Sequence, residues 1–224
     1  MNWMERLHAR VGRKHLLDHP FYQRWSAGQL SLGELQEYAR QYYHYSLAFP
    51  TFLSGIHSNC DDLAIRQAVL ENLIEEERGP ENHPELWLRF CEALGLTREE
   101  VIGSRASQKT RDLIDVMRAL TRDGDVHEGL AALYAYESQV PAVARTKIDG
   151  LAKHYSIDDE EAIRFFSVHL EADVLHAKTS EDLLTQLCVN DEKRDEATEA
   201  LETTLEALYG FLDGVNLETP AMVN

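Results

Sequence analysis

Apolar side chains recur along this chain at intervals of three and four over long stretches, and sustained two-residue alternation is absent, so the pattern predicts helices and no strand. A first helix is expected over about residues 2–17, ended by the break at Asp18 to Pro20 that leads into a short aromatic piece, Phe21 to Trp25. Ser31 with Glu34 three positions later reads as a capping box, opening a long helix that carries Tyr38, Tyr42, Tyr45 and Phe49 towards His57. Asp61 or Asp62 caps the next helix, which closes on the acidic run Glu75, Glu76, Glu77 before Gly79 and Pro80. Further helices are expected over about 83–94, 107–122, 125–150, 158–188 and 191–212. Short connections between long amphipathic segments predict an all-α bundle, an architecture whose interior often holds cofactor sites built from facing helices. Residues 1–214 are expected to form a single domain and residues 215–224 a C-terminal tail.

Composition narrows the possible partners. A formal charge of −17 argues against nucleic acid, whose affinity depends on Lys and Arg displacing counterions. Cys60, Cys91 and Cys188 are widely spaced with no CxxC pair, which indicates neither a disulfide framework nor a zinc ribbon. The N-terminus has no signal-peptide core, and no stretch approaches the roughly 20 apolar residues of a spanning helix, so a cytoplasmic protein without membrane attachment is expected. On the helix over 191–212, Leu201, Leu205 and Leu208 share a stripe that permits packing on the bundle or joining two subunits, and a homodimer is expected.

The chemistry concentrates in FFSVHLEADVLHAK. Offsets of four and three residues put His169, Asp173 and His176 on one helix face, a spacing suited to metal ligation and equally open to a surface ion-pair stripe. Phe165, Phe166, Val168, Leu170, Val174 and Leu175 wrap much of that helix in apolar surface, which points part of the polar face into protein, where an unpaired carboxylate is costly. Glu76 and His83 flank the Gly79–Pro80 break, which allows them to converge; periodicity alone separates Glu76 only weakly from Glu75, Glu77, Glu81 and Glu85, read as solvated charges. Glu137 is the one acidic group in LAALYAYESQVPAVA, and Pro141, unable to bond its carbonyl, should kink the helix there. Three carboxylates and three imidazoles without thiolate suit iron or manganese, and six ligands are enough for two ions.

Across HPFYQRW, EEERGPENHPELW, YAYESQVP and HLEADVLHA, together spanning nearly the whole chain, the sequence resembles the heme-oxygenase-like dimetal oxidases, and within them the chlamydial protein associating with death domains and its bacterial relatives. That resemblance implies a heme-oxygenase-like (TenA/PqqC-like) bundle, with Glu76, His83, Glu137, His169, Asp173 and His176 holding two non-heme ions (Fe/Fe or Fe/Mn). It implies dioxygen as co-substrate, an external reductant, and para-aminobenzoate for folate synthesis made from the protein's own tyrosine. Carried over by position, Tyr22 is the sacrificed side chain, Lys147 the amino-group donor and Tyr136 an auxiliary redox tyrosine.

On a straight helix Lys147 would lie roughly 15 Å beyond Glu137 and about 80° around the axis, so the break near Pro141 must return it towards the ligands; otherwise it is a surface charge. Tyr38, Tyr42, Tyr43, Tyr45 and Tyr136 have core packing as their ordinary role, and Tyr43 is a second-rank pocket residue. His44 and His57 read as interior histidines rather than ligands. Three alternatives compete: a dimetal oxidase of a diffusible fatty acid or amino acid; a metal-free relative of the thiaminase or pyrroloquinoline quinone synthase type; and a non-enzymatic interaction module.

Overall fold

Short polar side chains set the helix starts. Asn2, Ser31 and Thr97 each accept from the backbone N–H three residues on, where Glu5, Glu34 and Glu100 answer with their carboxylates. In the computed structural model, which describes residues 2–217, these caps open α1 (Trp3–Arg13), α3 (Leu32–Asn59) and α6 (Arg98–Ile102). The remaining helices are α2 (Pro20–Ser26), α4 (Leu63–Glu77), α5 (His83–Ala93), α7 (Gln108–Arg118), α8 (Val126–Glu137), α9 (Val140–Tyr155), α10 (Glu160–Leu187) and α11 (Asp191–Leu217), and no strand occurs among the described residues.

Several expected boundaries are corrected. The first helix stops at Arg13, and a 3-10 turn over Leu16–Asp18 follows. The segment after α7 continues as a π-helical turn, Ala119–Asp123, and the five-residue α6 was not foreseen. The single kinked helix expected over 125–150 is two helices, because Pro141 can neither donate to the Glu137 carbonyl nor avoid its ring clashing with it. Gln139, fully buried between them, accepts from the Leu16 N–H at 2.7 Å and donates to the Ala135 carbonyl at 2.6 Å. Of the tail expected over 215–224, residues 215–217 complete α11, with Val215 buried, and 218–224 lie outside the described residues.

α3 packs against α4, α5 and α7; α10 lies on α9, α8 and α5; and α11 runs along α8 and α7. The Leu201, Leu205 and Leu208 stripe is thereby buried within the chain. Trp87 donates to the Ala39 carbonyl at 2.8 Å, which joins α5 to α3. Trp25 donates to the Lys147 carbonyl at 3.3 Å, and α9 comes this close because Gly150 has no side chain: a Cβ there would stand 2.6 Å from the Trp25 ring. Gly150→Ala should therefore destabilise the fold by about 1–3 kcal/mol, as overpacking does, despite alanine's better helix propensity. Urea unfolding monitored by circular dichroism checks this, and an unchanged midpoint would show that α9 can move off Trp25 freely.

Candidate metal centre

Four helices position the polar cluster. Glu76 sits in the last turn of α4, Gly79 at φ 89° reverses the chain, and Asn82 caps α5 so that His83 is its first residue. Glu137 ends α8, and α10 supplies His169, Asp173 and His176. Glu76, His83 and His169 bring one ligand atom each within 4.8 Å of one another, and so do Glu137, Asp173 and His176; all six are buried. The structure therefore gathers every residue expected as a ligand into two adjoining triads, although four separate helices supply them.

Asn72 of α4 holds one Glu137 oxygen by donating at 2.8 Å, and the Phe165 carbonyl lies 2.5 Å from Nδ1 of His169, so its proton sits there and Nε2 is left free. His83 Nδ1 is 2.7 Å from Glu76 Oε2 without hydrogen-bond alignment, and it is a buried atom without a hydrogen-bond partner, as are His176 Nδ1 and Asp173 Oδ2. Orphaned buried acceptors and donors of this kind carry a desolvation cost that two divalent cations would remove. The donor set of oxygen and nitrogen without sulfur fits hard to borderline ions.

Electrostatics agree. Burial, reinforced by Asp173, pushes Glu137 up to about 8, and burial raises Asp173 to about 6. Burial opposes the charged form of His176, but Asp173, Glu137 and Glu75 outweigh it and hold the ring up at about 9. His169 is driven well below the usual imidazole range, by burial first and then by His83. Without metal, the second triad thus carries protons at neutral pH that a cation must displace. Metal uptake should release protons and strengthen as pH rises from 6 to 9, since ligation needs the deprotonated forms. Calorimetric titration in buffers of different ionisation enthalpy measures this, and a pH-independent affinity would exclude these groups as ligands.

The tyrosines line cavities together with Glu76, His169 and Asp173, whereas solvent-facing Glu75 stands against His176. Lys147 is 4 % exposed, its Nζ donating to Tyr38 at 2.6 Å and lying 5.6 Å from the Tyr22 ring centroid. Tyr22 and Tyr38 are linked oxygen to oxygen at 3.3 Å, and Tyr42 is bonded to Tyr136. A cavity of about 20 Å³ is lined by Tyr22, Tyr42, Tyr136, Lys147 and His169, and an adjacent one of about 10 Å³ by Tyr42, Tyr45, Tyr136, Glu76, His169 and Asp173. Burial alone lowers Lys147 to about 7; burial also raises the phenol of Tyr22 against the hydrogen bond to Tyr38, and raises that of Tyr136 together with the neighbouring Tyr42 and Tyr45.

Some expectations shift. Tyr43 lines neither cavity, whereas Tyr38, Tyr42 and Tyr45, which share one face of α3, cluster around Lys147 and Tyr136. That i, i+4, i+7 spacing was a readable signal, and Tyr43 is one residue off it. Glu75, expected as a solvated charge, is half exposed yet places Oε2 3.1 Å from His176 Nε2. Val174 and Leu175 lie on the solvent side of α10, not in the interior. His44 is half-buried and within 2.9 Å of the Ser104 hydroxyl, apart from the ligands. No thiol lines either tyrosine cavity, and burial pushes Cys91 up to about 12. Among the described residues no helix is long and apolar enough to cross a membrane.

Comparison with known proteins fits this geometry. The TENA/THI-4/PQQC family model matches residues 8–217. The chain is 41% identical over 213 residues to the 4-aminobenzoate synthase of Chlamydia muridarum, covering 95% of this chain and 89% of that protein. It is 40% identical over 215 residues to the 4-aminobenzoate synthase of Nitrosomonas europaea, covering 92% and 87%, and 26% identical over 213 residues to a pyrroloquinoline-quinone synthase of Acinetobacter calcoaceticus, covering 92% and 82%. Among solved structures, a TenA homologue from Pseudomonas syringae superposes with a TM-score of 0.82 at 16% identity, over 96% of this chain and 92% of that one. A CADD-like protein of unknown function from Nostoc punctiforme gives 0.76 at 19% identity, over 97% and 98%. At that identity the two structures show the shared heme-oxygenase-like fold alone. Helix order, buried triads and sequence together lead to one assignment: the chain belongs to the TENA/THI-4/PQQC family, beside its 4-aminobenzoate synthases.

Proposed function

We propose that this chain forms 4-aminobenzoate in an oxygen-dependent reaction, taking the ring from Tyr22 and the nitrogen from Lys147. Two ions, iron with iron or iron with manganese, held by Glu76, His83 and His169 and by Glu137, Asp173 and His176, would supply one-electron oxidation driven by dioxygen, with an external reductant. The Tyr22 Cα–Cβ bond breaks, Cα gains a hydrogen and stays in the chain as glycine, and Cβ is oxidised to the carboxylate carbon with its two oxygens coming from dioxygen or water. The ring C–O bond is exchanged for a C–N bond with the phenol oxygen leaving as water, as the Lys147 Cε–N bond breaks and Cε is left as an aldehyde. Six electrons leave the protein, and with two from the external reductant they reduce two dioxygen molecules.

The observation that carries this reading is the size of the tyrosine cavities. The cavities between Tyr22, Tyr38, Tyr42, Tyr45 and Tyr136 measure about 20, 20 and 10 Å³, room for a water or so each, and the oxidisable groups that line them are the protein's own. Burial keeps a large share of the Lys147 amine neutral near pH 7, as a nucleophile requires, and the surrounding rings of Tyr38, Tyr42, Trp87 and Phe166 exclude water. Tyr136, hydrogen-bonded to Tyr42 and lining the same cavity as His169, would serve as the auxiliary redox tyrosine.

Reconstitution of the metal-free protein with ferrous iron, alone or with manganese, under oxygen and reductant tests the proposal. The expected result is free 4-aminobenzoate together with protein that has lost the Tyr22 side chain. Repeated turnover by protein of unchanged mass would instead establish a diffusible substrate.

A further inference from the structure

A further, larger cavity reaches the metal ligands at His176. It measures about 230 Å³ and lies between α4, α10, α8 and α3. Its walls are apolar: Leu53, Val69, Leu130, Leu133 and Leu183. Its inner end is formed by His176, Asn72 and Ser180, the last two being hydrogen-bond donors to Glu137, so the cavity ends on the second ligand triad. Its outer end is solvent-facing, where Glu71 and Glu75 are exposed and Leu175 is 63 % exposed.

We infer that this cavity is the binding and entry site for dioxygen, delivering an apolar gas to the Glu137–Asp173–His176 triad past His176, Asn72 and Ser180, through walls that share no residue with the cavities lined by Tyr22 and Lys147. The inference rests on the oxygen dependence proposed above and adds the route. Apolar cavities of this size bind small apolar molecules such as xenon, whereas the tyrosine-side cavities, an order of magnitude smaller, offer no comparable passage. The carboxylates at the mouth disfavour anions, including the carboxylate of 4-aminobenzoate, so the same opening is a poor exit for product. Separation has a chemical consequence: oxidant arrives on the ligand side while the phenols and the Lys147 amine stay dry.

Xenon, a gas probe of similar size, tests the site in metal-free protein by xenon-129 NMR or by crystals under xenon pressure. Xenon is expected between Val69, Leu133 and Leu183, and Ala68→Phe, which adds a ring at the half-buried rim, should abolish that signal. Thr179→Trp narrows the same rim from α10 should the first variant not fold. In iron-loaded protein, stopped-flow mixing with graded oxygen should show the second-order rate constant falling at least fivefold in the plugged variant, with a much smaller change in the rate extrapolated to saturating oxygen. Xenon bound elsewhere, or a plugged variant that reacts with oxygen at the unsubstituted rate, overturns the route while leaving the oxidase reading intact. Iron-loaded wild-type protein that consumes no oxygen overturns both.

Discussion

Tyr22→Phe should remove the product: if the ring comes from Tyr22 as proposed, 4-aminobenzoate falls from about one molecule per chain to none, because phenylalanine lacks the oxygen through which the proposed oxidation and nitrogen exchange would proceed. The variant should otherwise be ordinary. Tyr22 packs by its ring against Phe21 and Trp25, contacts that phenylalanine keeps, and the lost hydrogen bond to Tyr38 is worth about 1 kcal/mol or so, since Tyr38 retains its partner Lys147. Bound metal should remain at two ions per chain, because Tyr22 belongs to neither triad. Chromatography with mass spectrometry of both small molecules and tryptic peptides provides the readout. A sharper comparison is Tyr38→Phe. Lys147 donates directly to Tyr38 at 2.6 Å and only overlies the Tyr22 ring, so geometry alone gives Tyr38 the closer approach. If Tyr38→Phe is the silent variant and Tyr22→Phe still yields product, the ring comes from Tyr38. The case for Tyr22 also includes its place on the seven-residue α2, where losing a side chain disturbs less than it would in the middle of the buried face of α3.

Much of this was legible in the chain. The Ser31–Glu34 box, the 3.6-residue periodicity and the His169, Asp173, His176 spacing are local signals, and local signals survive folding when propensity and packing agree. Glu76 and His83 were legible as a pair only because Gly79 and Pro80 stand between them. The break after Glu137 was readable as a kink, but a proline does not say whether a helix bends or stops, and the buried Gln139 that accepts from Leu16 depends on a contact 123 positions away. The outer cavity and the Glu75 contact with His176 were illegible for the same reason: both are formed where α4 meets α10, and no spacing within either helix encodes that approach.

Lys147 was the residue on which the straight-helix estimate and the expected chemistry conflicted, and its behaviour with pH provides the second large effect. Because α9 is a separate helix starting at Val140, Lys147 is turned into the core and its amine is lowered to about 7 by burial alone. The sign follows directly. Burial disfavours the ammonium, so the neutral amine is about a tenth of the total at pH 6, half at pH 7 and nine-tenths at pH 8. Product formation by metal-loaded protein should therefore rise about tenfold from pH 6 to pH 8 and then level off. An exposed lysine would give a rate still climbing at pH 9, because its neutral fraction grows until about pH 10.4. Lys147→Met should abolish product, and so should Lys147→Arg, since a guanidinium stays charged and cannot surrender its nitrogen in the same way. Protein grown on nitrogen-15 lysine should yield 4-aminobenzoate carrying the label. Unlabelled product from fully labelled protein would remove Lys147 from the chemistry, leaving its contacts with Tyr38 and the Tyr22 ring as packing that holds the tyrosines beside the metal ligands.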